Sequence, residues 1–291
     1  MNTPLIEGCV DSYASCAAAC RGGADRLELC ANLAIGGTTP SPSLFRQVQR
    51  DFPVPVNALI RPRFGDFLYS AQELEEMEED IRRFRDMGAN GVVIGALTPE
   101  GDLDARGLSR LMDCAGGMDV TLHRAFDMTR DPLAALEEAV RLGMRTVLTS
   151  GQARSAAEGC QVLGEVFHRA AGRIHIMAGC GVKKENIRAI YDRTGIRIFH
   201  TTGRKGPVDS GMRYRKAEVS MGLPSLSEYE LWQTDEEEFR ACAQLVHALG
   251  GESAGGPGAV QVGVGRPEQG GGHHGPHRQS RRHAEGVEQG V

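Results

Sequence analysis

Residues 5–30, LIEGCVDSYASCAAACRGGADRLELC, place a short apolar run, a longer stretch with helical spacing, a glycine pair and a second short run one after another. Runs 5–10 and 26–30 read as strands, because each is brief, apolar and bounded by turn residues. Residues 12–21 read as a helix that Gly22 and Gly23 end through the left-handed turn glycine adopts most readily. Strand, helix, strand at this spacing is a βαβ unit, whose strands run parallel and whose crossover is right-handed.

The same unit recurs along the chain. Further strands are expected at 56–61, 92–96, 120–123, 146–149, 174–178 and 198–200, and further helices at 43–51, 71–87, 104–114, 132–142, 156–171, 183–193 and 236–249. Ser70 precedes an acidic first turn, and Asp131-Pro132 is a cap followed by a proline at the first helical position. Eight alternating units favour a single closed (β/α)8 barrel of the TIM type over residues 1–250. No GxGxxG follows the first strand, so a dinucleotide fold has little support. Residues 201–234 are too long for a simple loop and are expected to cover part of the mouth or an interface. Residues 251–291 are rich in Gly, Gln, Arg and His with no aromatic or leucine, and are expected to form a disordered tail. Its His273, His274 and His277 read as solvated side chains rather than a metal site.

A net charge of −5 offers no basic stripe for nucleic acid and no polybasic membrane patch. No apolar run approaches the ~20 residues that span a bilayer, and the first residues lack a secretory pattern, so a cytoplasmic location without membrane contact is expected. The eight cysteines contain no CxxC pair and are expected as free thiols; Cys16 and Cys20 share a helix face and read as core.

In a barrel of this kind, side chains at the C-terminal ends of the strands build the site. Alternation along the first two strands puts Glu7 with Cys9, opposite Ile6, and Glu28 with Cys30, opposite Leu27 and Leu29. If the leucines pack on helices, the acids and thiols face the lumen, with the glutamates expected in one layer and the cysteines in another. Paired carboxylates can divide acid and base roles, or each can neutralise an arginine such as Arg61. Inward thiols suit a soft ion such as copper(I), or simply fill a crowded interior. Arg61, with Asp66 to orient it, can clamp a carboxylate or phosphate. His123, flanked by Arg124 and Asp127, is the candidate general acid or base. Ser150, Gly179 and Gly181 follow late strands where barrels often bind phosphate, and His200 ends the eighth strand beside them.

Several of these stretches resemble the CutC copper-homeostasis family. The matching runs are Glu7 to Ser12, Gly23-Ala24-Asp25-Arg26-Leu27-Glu28-Leu29-Cys30, Gly36-Gly37-Thr38-Thr39-Pro40-Ser41, Arg61-Pro62-Arg63 and Gly65-Asp66-Phe67-Leu68-Tyr69-Ser70. The likeness continues in His123-Arg124-Ala125-Phe126-Asp127-Met128, Leu148-Thr149-Ser150-Gly151, Met177-Ala178-Gly179 and Gly211-Met212-Arg213-Tyr214-Arg215. The resemblance implies a cytoplasmic barrel that assembles as a homo-oligomer and binds copper(I) through Cys9 and Cys30. The sequence departs from the family at Cys180, where glycine is expected, and at Phe64, often glycine. Two functions follow as expectations: a copper(I)-binding protein, or a TIM-barrel enzyme that uses acid/base chemistry on a small phosphorylated or carboxylated metabolite.

Overall fold

Each helix that ends in glycine hands the chain to a buried strand, and repetition of that step closes the sheet on itself. In the computed structural model the eight parallel strands are β1 (Leu5–Val10), β2 (Arg26–Leu29), β3 (Val56–Leu59), β4 (Gly91–Ile94), β5 (Asp119–Leu122), β6 (Thr146–Thr149), β7 (His175–Ala178) and β8 (Ile198–Thr201), and β8 pairs back onto β1. The helices are α1 (Tyr13–Arg21), α2 (Pro42–Asp51), α3 (Ala71–Asp86), α4 (Ala105–Ala115), α5 (Pro132–Arg141), α6 (Cys160–Ala170), α7 (Ile187–Thr194) and α8 (Glu236–Ala248). The structure describes residues 3–251 apart from 217, 224 and 225. The expected tail from 252 onward, with its three histidines, lies outside the described residues.

The helix starts follow from their first residues. Ser70 accepts the Glu73 N–H while the Glu73 carboxylate accepts the Ser70 N–H, and Asp131 accepts the N–H groups of Leu133 and Ala134 behind Pro132. Each such cap contributes about 1 kcal/mol. Alternation then divides the strand residues between two environments. Ile6, Leu27, Leu29, Ala58, Val92, Ile94, Leu122, Val147, Ile176 and Phe199 join the large apolar layer shared with the helices, where Cys16 is buried and Cys20 packs at the edge. Leu5, Leu148, Met177 and Ile198 form a separate plug inside the barrel, and Cys9, Cys30, Leu59 and Val93 form a second inner group.

Some expected boundaries move. β3 stops at Leu59, because the Arg61 N–H turns to the Thr39 hydroxyl at 3.0 Å instead of a neighbouring strand. α6 starts at Cys160 rather than 156: Gly159 packs so closely on the Ser150 carbonyl that a Cβ there would lie 1.9 Å from it, and the Ala156 N–H is taken by Cys180 O. α7 starts at Ile187, since the Lys183 N–H is taken by the Asn186 side chain in a preceding turn. Between β8 and α8 the chain makes an excursion with an antiparallel pair, β9 (Pro207–Asp209) and β10 (Glu230–Trp232), that exposes Met212, Tyr214, Met221, Leu231 and Trp232.

Candidate metal and ligand site at the barrel mouth

Glu7 is fully buried on β1, and its carboxylate is shared by two cations. Arg26 on β2 donates to one oxygen at 2.5 Å, and His200 Nδ1 on β8 lies 2.8 Å from the other. Burial alone would raise the Glu7 carboxyl, but Arg26 and His200 outweigh it and bring it down to about 2. The arginine that neutralises this acid is therefore Arg26, not Arg61. The alternation that turned Glu28 inward also turns Arg26 inward, so the signal was present two residues back.

The expected layers are not found. Glu7 stands opposite Arg26, and Cys9 stands opposite Glu28, because closing a barrel staggers each strand against its neighbour. Glu28 thereby sits between the two sets of ligands. Its oxygens, Cys9 Sγ and Cys30 Sγ form one cluster, and Glu7, Glu28 and His200 form another, with the candidate ligand atoms of each within 4.8 Å of one another. The Cys30 thiol faces one Glu28 oxygen at 3.7 Å. The other oxygen is 3.3 Å from His200 Nδ1 but out of line with it, and is buried without a hydrogen-bond donor.

The proton distribution follows from this packing. A hydrogen bond from Cys30, with help from His200 and against the cost of burial, lowers the Cys9 thiol to about 6. As the donor in that pair, and being buried, Cys30 is raised well above an ordinary thiol. Burial pushes the Glu28 carboxyl up to about 8, with His200 opposing and Cys9 reinforcing the rise. Burial disfavours a charged His200, yet Cys9 and Glu28 raise it well above its usual value. These shifts favour the thiolate at Cys9 and the protonated forms of Cys30 and Glu28.

Arg61 and His123 form a distinct group at the mouth. The Arg61 guanidinium donates to Gly37 O at 2.8 Å and Gly65 O at 2.7 Å and lies 5.1 Å from the Phe67 ring centre, which in turn is 4.8 Å from the His123 ring. Two of its arms thus brace loops, and the buried Nε has no partner. His123 Nδ1 accepts the Ala125 N–H at 3.0 Å, which leaves the proton on a buried, unpartnered Nε2. Burial and the nearby Arg61 lower this imidazole to about 3, which favours the neutral form with Nε2 as a donor. Asp66 does not orient Arg61. It is largely exposed and pairs with Arg63 at 3.1 Å, because the turn through Gly65 faces it outward.

Asp127 anchors the end of β6. One oxygen accepts from the Thr149 hydroxyl and the Gln152 N–H, and the other from Arg124 Nε at 2.8 Å and the Ser150 hydroxyl, while the Ser150 N–H is near both. Gly179 lets β7 approach closely, since a Cβ there would meet Leu148 at 2.4 Å. Gly181 lies with His200 and Arg124 along a pocket past β7 and β8 that also includes Lys183 and Arg204, both missed by strand-end reasoning because they lie beyond the strands. Cys180 holds a left-handed φ of +74°, which explains why glycine suits the position. Phe64 is exposed in its loop.

The fold and this lumen define a closed parallel β/α barrel whose mouth buries paired thiols beside carboxylates and an imidazole. The CutC family model matches residues 4–205, from β1 through β8, and the chain belongs to that family. It is 46% identical over 237 residues to a human protein named copper homeostasis protein cutC homolog, covering 81% of this chain and 86% of that one. It is 44% identical over 242 residues to a family protein CutC of Chromobacterium violaceum, covering 83% and 98%. A crystal structure of a CutC protein from Streptococcus agalactiae superposes with a TM-score of 0.66 at 32% identity, covering 68% of this chain and 98% of that one. A deoxyribose phosphate aldolase from Aeropyrum pernix shares the fold alone, with a TM-score of 0.53 at 14% identity.

Proposed function

We propose that this chain binds copper(I) through Cys9 and Cys30. The observation that carries the reading is the pair of lumen thiols packed with Glu28, their candidate ligand atoms within 4.8 Å of one another. Thiolates are soft ligands that select copper(I) over hard cations. Cys9 is already held toward its thiolate, and Cys30 would release its proton on binding, as metal–thiolate sites do. The Glu28 carboxylate, once it releases its proton, suits a third contact to a cation in this place. The CutC relatives whose names refer to copper homeostasis support the same assignment. Anaerobic competition with a copper(I) chelator tests it: near one ion per chain is expected, and its loss when both Cys9 and Cys30 are replaced by serine.

The cargo also suits a reducing, cytoplasmic setting. All eight cysteines, Cys9 and Cys30 among them, are free. No helix among the described residues is long and apolar enough to cross a membrane. The exposed apolar side chains of the excursion around β9 and β10 suit assembly with further copies of the chain, which light scattering measures as a multiple of the chain mass. The second reading is acid/base chemistry on a small anion. It is favoured by Glu28, whose carboxyl at about 8 is a proton donor near neutral pH, and its mark would be a turnover abolished in Glu28→Gln.

A further inference from the structure

Beyond the ends of β7 and β8 lies a pocket of about 220 Å³, lined by Arg124, Gly181, Val182, Lys183, Gly203 and Arg204, with His200 on the wall toward the thiols. It is below the ~300–1,000 Å³ typical of drug-sized ligands, and its size suits a small headgroup. Arg124, Lys183 and Arg204 line it together with His200, against the single acid Glu238, and Glu238 is engaged by Lys184 at 2.6 Å.

The state of the cations matters more than their number. Arg124 pairs with Asp127 through Nε and donates to Ser150 Oγ through Nη2, which leaves its Nη1 without a partner among the described residues. Arg204 reaches Asp11 through Nη2 at 2.6 Å, while its Nε is buried without a partner. Lys183 is exposed and has no ion-pair partner among the described residues. The backbone adds donors: the N–H groups of Gly181, Val182 and Arg204 meet no acceptor among the described residues. The two loops are also fixed to each other. The Thr201 hydroxyl donates to Val182 O at 2.9 Å and accepts the Gly203 N–H at 3.2 Å, so the donors are held in place before any ligand arrives.

We propose that this pocket is a phosphate site, taking inorganic phosphate or the phosphate of a small ester, with Lys183, Arg124 and Arg204 as its cations. Free N–H groups and the cations of the loops after β7 and β8, with the Arg124 guanidinium from the loop after β5, are the chemistry that holds a phosphate dianion in a barrel. The site is separate from the copper reading, because Cys9, Cys30 and Glu28 do not line it. His200 is the wall the two share, so the far end of a bound ester would point toward Cys9 and Glu28.

Isothermal titration of the full chain, metal-free, with inorganic phosphate and with glycerol 3-phosphate tests this. One saturable site per chain is expected. Lys183→Glu changes an exposed side chain and leaves the fold alone, and it should weaken binding at least about tenfold; Arg46→Glu, on the outer face of α2, should leave it unchanged. The Cys9→Ser/Cys30→Ser variant should bind phosphate as the parent does, which separates this result from the fate of the copper reading. Tighter binding of glycerol 3-phosphate supports an ester as the ligand, and equal binding supports the free anion. No saturation with either compound, or equal weakening by Lys183→Glu and Arg46→Glu, overturns the proposal.

Discussion

The carboxylates of Asp127 and Glu28 are buried at the same end of one barrel, yet their surroundings differ. Asp127 is met by a guanidinium, two hydroxyls and two backbone N–H groups, and both its oxygens are satisfied. Glu28 has a weak thiol contact on one oxygen and no donor on the other, and burial keeps it largely protonated. A saturated buried acid holds loops together. An unsatisfied one costs free energy, and that cost is expected where a ligand completes the set.

The sharpest way to break this comparison is to remove Asp127. Asp127→Ala strands the Ser150 and Gln152 N–H groups together with Arg124, and should cost about 3 kcal/mol in urea unfolding while copper(I) affinity stays as it was. A loss below about 1 kcal/mol would mean that the corner is not structural.

His123 sharpens the comparison through pH. Its folded pKa of about 3 lies below the ordinary 6.5, so the unfolded chain takes up the proton first. Its contribution to stability is complete above pH 6.5 and declines as pH falls toward 3. By pH 5 the loss should be roughly 2 kcal/mol, at 1.36 kcal/mol per unit. Chemical denaturation across this range should show a flatter profile for His123→Gln; an identical slope would assign the acid sensitivity elsewhere.

The smallest effect is expected at Cys180, whose positive φ costs a non-glycine residue about 1–2 kcal/mol, offset in part by its thiol contact to Arg154 O at 3.1 Å. Cys180→Gly should therefore stabilise the chain by about 1 kcal/mol and raise Tm by a few degrees. A lower Tm would show that the thiol contact outweighs the strain.

Much of this molecule could be read before its structure. The rhythm of residues 5–30 carried the barrel, and period two placed Glu7, Cys9, Glu28 and Cys30 in the lumen, because both signals are local. The partners were harder to read. Which inward residue faces which depends on the stagger of the closed barrel, a property of all eight strands together, so Cys9 rather than Glu7 stands opposite Glu28 in the register, and Glu28 lies near both. Arg26 lay on the same inward face, yet as the first residue of its strand it was passed over. Asp66 was assigned to the wrong arginine because the turn at Gly65, with φ +97°, reverses the loop. Lys183 and Arg204 lie outside strands, where alternation says nothing.

The central claim is that the lumen thiols are unfinished coordination rather than filler. X-ray absorption at the copper edge on copper(I)-loaded protein tests it most directly. Scattering from two sulfur neighbours is expected, lost when Cys9 and Cys30 are both serine while the variant keeps its circular dichroism. A signal from nitrogen and oxygen alone, or one that persists in the doubly substituted protein, would contradict it.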